Sequence, residues 1–494
     1  MKIFSVSQIR AWDAFTIANE PISSLDLMER ASCAFVKWFC ERFDDRQCVK
    51  IFCGMGNNGG DGLAIARLLL QKHYNVQVVV VKHSDAGSAD FQENLNRLEL
   101  QTKVHWIENA SAAPDLSSND YVIDALLGSG LSRAVEGILA DVIQVINGSN
   151  SMVISVDIAS GLFADVPNSP LDIIVKPTFT VSFQCPKLAF FQLQCAENVG
   201  EWHVVNIGLH PDYEHKTSTP YFYTAPEQIN SLSNPRKKYS HKGSFGHALL
   251  IGGSYGKIGA IVLSAKACVR SGTGLLTVQI PRCGYDILQT SLPEAMVLPD
   301  WHWMVNTATP DVSSYSAVGI GPGLGKDSLT LSMLKQLLPT ITQPVVLDAD
   351  ALNLISENPD LLRIIPKNAI LTPHPKEFQR LLGRSWKDDY EKLDFLRDFA
   401  QKHKLIVCLK GAHTAIALPD GSIHFNSSGN PGMATGGSGD VLTGILTGLL
   451  AQGIAPKEAA IFGVYQHGAA GDRAARKCTQ PGLIASDIIK EMGW

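Results

Sequence analysis

The run VKIFCGMGNNGGDG, Val49 to Gly62, decides the fold. Its opening VKIFCG (49–54) reads as a strand, and the apolar LAIARLLL that follows reads as a helix. Between them lies a glycine-rich turn. Glycines at such a turn let backbone N–H groups approach an anion at a helix N-terminus. Gly54, Gly56 and Gly59 also satisfy G-x-G-x-x-G. The dinucleotide version of that motif expects an acid at the end of the next strand. Here VQVVVV (76–81) ends in Lys82-His83, and Asp61 in the loop would repel a bare pyrophosphate. The pattern argues against an ordinary hydride-transfer dehydrogenase. The plainer alternative is a strand–turn–helix corner with Asp61 as helix cap.

Working outward, YVIDAL (121–126), MVISVD (152–157) and TFTVSF (178–183) are further short apolar runs between helical segments. Runs this rich in Val and Ile suit strands buried on both faces of a parallel sheet. The alternation predicts a doubly wound α/β domain. Upstream, Ser5 and Gln8 form a capping box before IRAWDAFTIA, Pro21 ends that helix, and LDLMERASCAFVKWF has apolar residues at helical spacing. Asp124 and Asp157 each close a strand, where open α/β sheets bind ligands. Taken singly, each could simply cap a turn.

Residues 210–240 are polar, Pro-bearing and weakly periodic, so a junction is expected near residue 220. The α/β rhythm then restarts. HALLIGG (247–253), GLLTVQI (274–280), SAVGIG (316–321), PVVLDAD (344–350), AILTPH (369–374) and LIVCLKG (405–411) read as strands. KIGAIVLSAKACVRSG and DVLTGILTGLLAQG read as helices. NPGMATGGSGD (430–440) leads into the second of these. Small residues before a helix form an anion hole, and Asp440 at its mouth could take a proton from a hydroxyl attacking phosphorus. Asp440 alone could equally be an N-cap. No Walker A sequence is present, so phosphoryl chemistry needs another scaffold. Lys410-Gly411-Ala412-His413-Thr414 could contact a nucleotide's phosphate or ribose.

The 494 residues are 45% hydrophobic and 18% charged, enough for two large cores. A net charge of −5 and the short Arg236-Lys237-Lys238 cluster give no reason to expect a nucleic-acid partner. No run of 18 apolar residues and no signal-peptide pattern is seen, so neither a membrane span nor secretion is expected. The ten scattered cysteines lack a Cys-x-x-Cys and read as free thiols of a cytoplasmic protein.

LMERA (27–31), CGMGNNGGDG (53–62), DALLGSGL (124–131), VDIASG (156–161) and FQCPKLAF (183–190) occur in order. In these motifs the first half resembles NAD(P)H-hydrate epimerase domains. The resemblance implies a Rossmann-like fold over residues 1–220. It implies that Asn57, Asn58, Gly59, Gly60 and Asp61, with Gly128, Ser129, Gly130, Leu131, Ser132, Arg133 and Ala134, bind the hydrated cofactor. It implies a potassium ion at Asn58, Asp124 and Ser160, and makes Asp157 the acid/base residue beside the altered ring. Ala159 stands where that family usually has Pro, and Arg30 where it usually has Asn.

GSYGKIGA, GIGPGLG, VLDADALN, LTPHPKEFQRLLG, LKGAHT and NPGMATGGSGDVLTGIL follow in the second half. Residues 221–494 thereby resemble the ADP-dependent NAD(P)H-hydrate dehydratases of the ribokinase-like superfamily. The resemblance implies that Ala260, Gly323, His374 and Asp440 contact the hydrate. It also implies that Lys410 to Thr414 and Gly439 bind the adenine nucleotide with magnesium, and that Asp440 is the base. The whole chain is then expected to be two tandem three-layer α/β domains. One would interconvert the epimers of hydrated NADH and NADPH, and the other would dehydrate the S form with ADP. A homo-oligomer is expected. A small-molecule kinase would account for the second half alone. A ligand-sensing first half is the non-enzymatic alternative.

Overall fold

The computed structural model describes residues 1–229 and 236–493. Part of the expected junction, residues 230–235, lies outside them. The chain divides into two compact units, one of Met1–Tyr221 together with Asp388–Tyr390 and the other of the remainder.

The first unit is built on seven strands in the order Val104–Ile107, Asn75–Val81, Cys48–Cys53, Tyr121–Ala125, Met152–Val156, Phe179–Phe183, Glu201–Val205. Every pairing is parallel. The first strand of this series to be laid down, Cys48–Cys53, sits between two later ones. The strand order therefore reverses there, and a crevice opens at the carboxyl ends. Val78, Val80, Ile123 and Ile154 are fully buried, as sheets covered on both faces require. Helix Ser24–Cys40 lays Leu27, Ala31, Phe35 and Phe39 inward. Phe39, Phe43 and Tyr121 meet as an aromatic cluster beneath it. Burying each such ring contributes about 1.5–3 kcal/mol.

In the second unit the order is Ile423–Phe425, Ala415–Ala417, Ile406–Leu409, Ile370–Leu371, Val345–Leu347, Ala317–Ile320, His247–Ile251, Leu275–Ile280, Met296–Pro299. Pairing is parallel from Met296–Pro299 through Ile406–Leu409 and antiparallel in the hairpin beyond. Helix Ser438–Ala451 is buried along nearly its whole length, as an all-apolar helix must be.

Several expectations need correction. Asp61 is no cap, because helix Asn57–Gln71 starts at Gly56 and holds Asp61 in its second turn. Asp440 is not an N-cap either. Gly437, at φ +90°, takes that place, and Asp440 lies in the first turn of helix Ser438–Ala451. PVVLDAD stops being a strand at Leu347, where Asp348 begins helix Ala349–Glu357. AILTPH keeps only Ile370–Leu371 as strand, since Pro373 has no N–H for a ladder.

Candidate active sites

The first site lies at the crevice of the seven-stranded sheet. A cavity of about 440 Å3 is lined by Asn57, Asn58, Asp61, Gly128, Ser129, Gly130, Leu131 and Asp157. These all belong to the sequence-based set. Gly59 and Gly60 instead sit behind the wall. A Cβ on Gly59 would collide with the Gly54 carbonyl, so that glycine permits the close turn rather than touching a ligand. Ser132, Arg133 and Ala134 do not line the cavity.

Asp157 follows strand Met152–Val156 with φ +66°, a left-handed conformation that costs a non-glycine residue about 1–2 kcal/mol. Its backbone is fixed by a 2.8 Å bond to the Val181 carbonyl. Its Oδ1 accepts from Lys187 Nζ at 2.8 Å and from the Phe183 amide at 3.2 Å. Lys187 is 1% exposed and also reaches Ser182 Oγ at 2.9 Å. Burial works against its charge, but Asp157, with Cys185 and Asp13, outweighs it and raises the ammonium's pKa. Lys187 lies within FQCPKLAF, a stretch whose sequence gives the lysine no role of its own. A lone lysine in that apolar run was the available signal.

The cavity also receives Arg10 and Asp13 from helix Val6–Asn19, which the sequence reading did not single out. Burial first, then the Asp157 charge, pushes the Asp13 carboxyl up to about 6, against a smaller pull from Lys187. Asp61 is pushed well above the carboxylate range by burial and by Asp157 and Asp13.

Beneath the cavity Asp124 is fully buried. It accepts from Ser155 Oγ at 2.7 Å, from the Ser160 amide at 2.9 Å and from Ser160 Oγ at 2.5 Å. Burial raises its pKa, and these donors pull it back. Asn58 Nδ2 is buried without a partner, while the Oδ1 of the same amide lies beside Gly128. Rotated about its Cβ–Cγ bond, that amide offers an oxygen in the same place. A carboxylate, a hydroxyl and an amide oxygen form a donor set that suits a hard monovalent cation.

In the second unit a cavity of about 790 Å3 is lined by His374, Lys410 to Thr414, Asn430, Ser438, Gly439 and His467. The N-terminus of helix Ser438–Ala451 opens on it, with free N–H donors for an anion. Ala260 and Gly323 touch each other but lie outside this lining, as does Asp440. Ser264 Oγ ties the Asp440 carbonyl at 2.7 Å.

Asp348 organises the charges. It is 1% exposed, accepts from Lys410 Nζ at 3.0 Å and from Thr443 Oγ1 at 2.8 Å. Burial opposes the Lys410 charge, but Asp348 and Glu377 override it and raise that pKa. Asp440 shows the reverse. Burial, reinforced by Asp348, pushes its carboxyl up to about 6 while Lys410 pulls down. His374 caps helix Pro375–Leu382 through a reciprocal pair with Glu377, at 3.2 Å and 2.8 Å. His467, bonded to Ser438 at 3.3 Å, is held neutral by burial, its pKa near 4. Asp472 braces the cavity loop through the Gly429 amide and Asn430 Nδ2, both at 2.9 Å. Asp348 stood inside the quoted VLDADALN; His467 and Asp472 left no local signal.

Residues 248–493 match the family described as NAD(P)H-hydrate dehydratase, and residues 24–189 match the YjeF-related protein N-terminus. A bifunctional NAD(P)H-hydrate repair enzyme from Moorella thermoacetica is 36% identical over 99% of this chain and 95% of its own length. One from Coxiella burnetii is 34% identical, covering 99% and 98%. A solved ribokinase-like superfamily protein from Enterococcus faecalis superposes with TM-score 0.50 at 31% identity, covering 56% of this chain and 95% of that one. On these matches, spanning both units, the chain belongs to the family of bifunctional NAD(P)H-hydrate repair enzymes.

Proposed function

We propose that residues 1–220 epimerise hydrated NADH and NADPH and that residues 221–494 dehydrate the S epimer, consuming ADP to AMP and phosphate. The observation that carries the reading is a cavity in each unit with a carboxyl suited to proton transfer at or beside it, Asp157 in the lining of the first and Asp440 in the first turn of the helix whose N-terminus opens on the second. Full-length likeness to the repair enzymes supports it.

In the first unit Asp157 is the proton acceptor at the ring. Lys187 holds it in place by its 2.8 Å bond. Asn57, Asn58, Asp61 and the Gly128 to Leu131 loop hold the hydrated dinucleotide, with Gly59 and Gly60 shaping the turn and Ser132 to Ala134 extending the loop. Asn58, Asp124 and Ser160 would hold a potassium ion, whose charge would keep Asp124 ionised and tie the strand ends together.

In the second unit hydroxide is a poor leaving group from the hydrated ring. Moving the terminal phosphoryl of ADP onto that hydroxyl makes a good one. Asp440 accepts the hydroxyl proton, and the amides from Gly436 to Gly439 stabilise the charge on the moving group. A carboxyl with a pKa of about 6 is well matched to this work near neutrality. The ring nitrogen then pushes phosphate out and restores the reduced cofactor. Lys410, Gly411, Ala412, His413, Thr414 and Gly439 receive the nucleotide. Ala260, Gly323 and His374 receive the hydrate. Magnesium, when bound, would neutralise the nucleotide phosphates. The two activities complement each other, because a dehydratase specific for one epimer needs a partner that converts the other. We further propose that the protein acts as a homo-oligomer in the cytoplasm.

The test is to supply both NADH-hydrate epimers with ADP, magnesium and potassium and to follow NADH absorbance. Complete recovery is expected. No recovery with ADP or ATP from folded protein would overturn the reading. A stable phosphorylated product would instead indicate a kinase.

A further inference from the structure

Three carboxylates line the cavity of the first unit: Asp13, Asp61 and Asp157. Among the described residues only Asp157 has a cationic partner, the buried Lys187 at 2.8 Å. Asp13 comes from a different element, helix Val6–Asn19, whose register is set firmly. The Ser5–Gln8 capping box fixes its start. Trp12 Nε1 donates to the His210 carbonyl at 2.8 Å, and the His210 amide donates to Thr16 Oγ1 at 2.9 Å. Ile9, Arg10 and Asp13 therefore share one helical face, and all three line the cavity. Arg10 is turned to the Gly130 carbonyl at 3.3 Å, leaving the Asp13 carboxyl without a hydrogen bond or ion pair among the described residues. The anchored helix thus delivers an unpartnered carboxyl to the cavity where Asp157 is bonded to Lys187.

We propose that Asp13 is a second catalytic residue of epimer exchange, the general acid that works with Asp157 as base. This inference rests on the epimerase reading of the first unit. The hydrated ring carries its hydroxyl on C6, bonded to ring nitrogen N1, so it is a hemiaminal. Asp157 takes the hydroxyl proton. The C6–N1 bond breaks with its electron pair going to N1, and Asp13 gives its proton to N1. C6 is now an aldehyde carbon that turns about the C5–C6 bond. N1 then attacks the other face, its proton returns to Asp13, and Asp157 returns the proton to oxygen. Nothing is oxidised or reduced, and both carboxyls end as they began.

The electrostatics divide the roles the same way. Asp13 faces Arg10 on its own helix, Asp61, Asp157 and Lys187 across the cavity, and His210 and Asp165 near the helix. Burial leads and holds its carboxyl near 6, where a proton is both retained and transferable.

The experiment measures steady-state epimer exchange between about pH 5 and 8 for the full-length wild type, Asp13→Asn and Asp13→Glu, with uncatalysed exchange subtracted. The wild-type kcat/KM is expected to decline as pH rises past about 6. Asp13→Asn should lower kcat about 10²-fold with KM within threefold and lose that decline. Asp13→Glu should recover part of the rate. A kcat for Asp13→Asn within threefold of wild type, or a change confined to KM, overturns the assignment. If Asp13→Asn does not fold, a wild-type profile flat across this range overturns it by itself. A wild type that exchanges no epimers overturns the epimerase reading instead, and this inference with it.

Discussion

The two sites share a charge arrangement on unrelated sheets. Each has a carboxylate locked to a lysine, the half-buried Asp157 to Lys187 at 2.8 Å and the buried Asp348 to Lys410 at 3.0 Å. Each also has a second carboxyl pushed up to about 6, Asp13 in one and Asp440 in the other. The assigned base occupies opposite places in the two pairs. In the first unit it is the lysine-bound Asp157, and in the second it is the unpaired Asp440. The difference fits the chemistry. Opening a hemiaminal needs a base and a proton-donating acid together, whereas attack of a hydroxyl on phosphorus needs one base that can take a proton and later release it. A lysine-bound carboxylate that merely supports the site, as Asp348 does, frees its neighbour for proton transfer.

Removing the unpaired carboxyl of the second unit should have the largest effect. Asp440→Asn is expected to cut dehydration of the S epimer about 10²–10⁴-fold while epimer exchange stays intact. Separate assays of each reaction check this, and a parallel loss of both would break the comparison. Breaking a lysine pair comes next. Lys410→Met should cost more than Lys187→Met, about 3–5 kcal/mol, since the Asp348 side chain it strands is 2% exposed against 14% for Asp157. Lys187→Met leaves the half-buried Asp157 with the Phe183 amide and should destabilise the first unit by about 1–3 kcal/mol, both read from urea unfolding.

A smaller effect carries the opposite sign. The raised Asp440 carboxyl prefers its neutral form in the folded chain. Its stability contribution is complete below about 3.8 and is lost as pH rises through about 6. Asp440→Asn should thus be more stable than wild type at pH 7, by roughly 1–3 kcal/mol, with the advantage vanishing near pH 4. Equal melting temperatures for the two proteins at pH 7 would contradict the strain assigned to this site. The smallest effect is expected at Ala159, buried between Asp157 and Ser160. Ala159→Pro should change stability by about 1 kcal/mol or less and leave exchange within a fewfold of wild type.

The central strands were legible because both faces are buried, which writes Val and Ile in sequence without interruption. The edge strands were not. Val104–Ile107 exposes His105 and Trp106, which break its apolar run, and Met296–Pro299 is a four-residue apolar run that is largely solvent-facing and ends in proline, too short to stand out as a strand. The glycine-rich turns identified both sites for the same reason: only backbone approach to a ligand or neighbour demands so many glycines together. Side chains that complete the sites from distant elements left no such trace. Lys187 and Asp348 lay within motifs already quoted, but their pairing exists only in space. Asp13 lies on a helix with no local anomaly.

The most direct test of the account is recovery of a mixture of both NADH-hydrate epimers by Asp157→Ala beside the wild type, at times short against uncatalysed exchange. The wild type should restore all the NADH. Asp157→Ala should restore the S fraction at the wild-type rate and then stall, while still binding the hydrate. Full recovery by Asp157→Ala at the wild-type rate would contradict the assignment of epimer exchange to the first site.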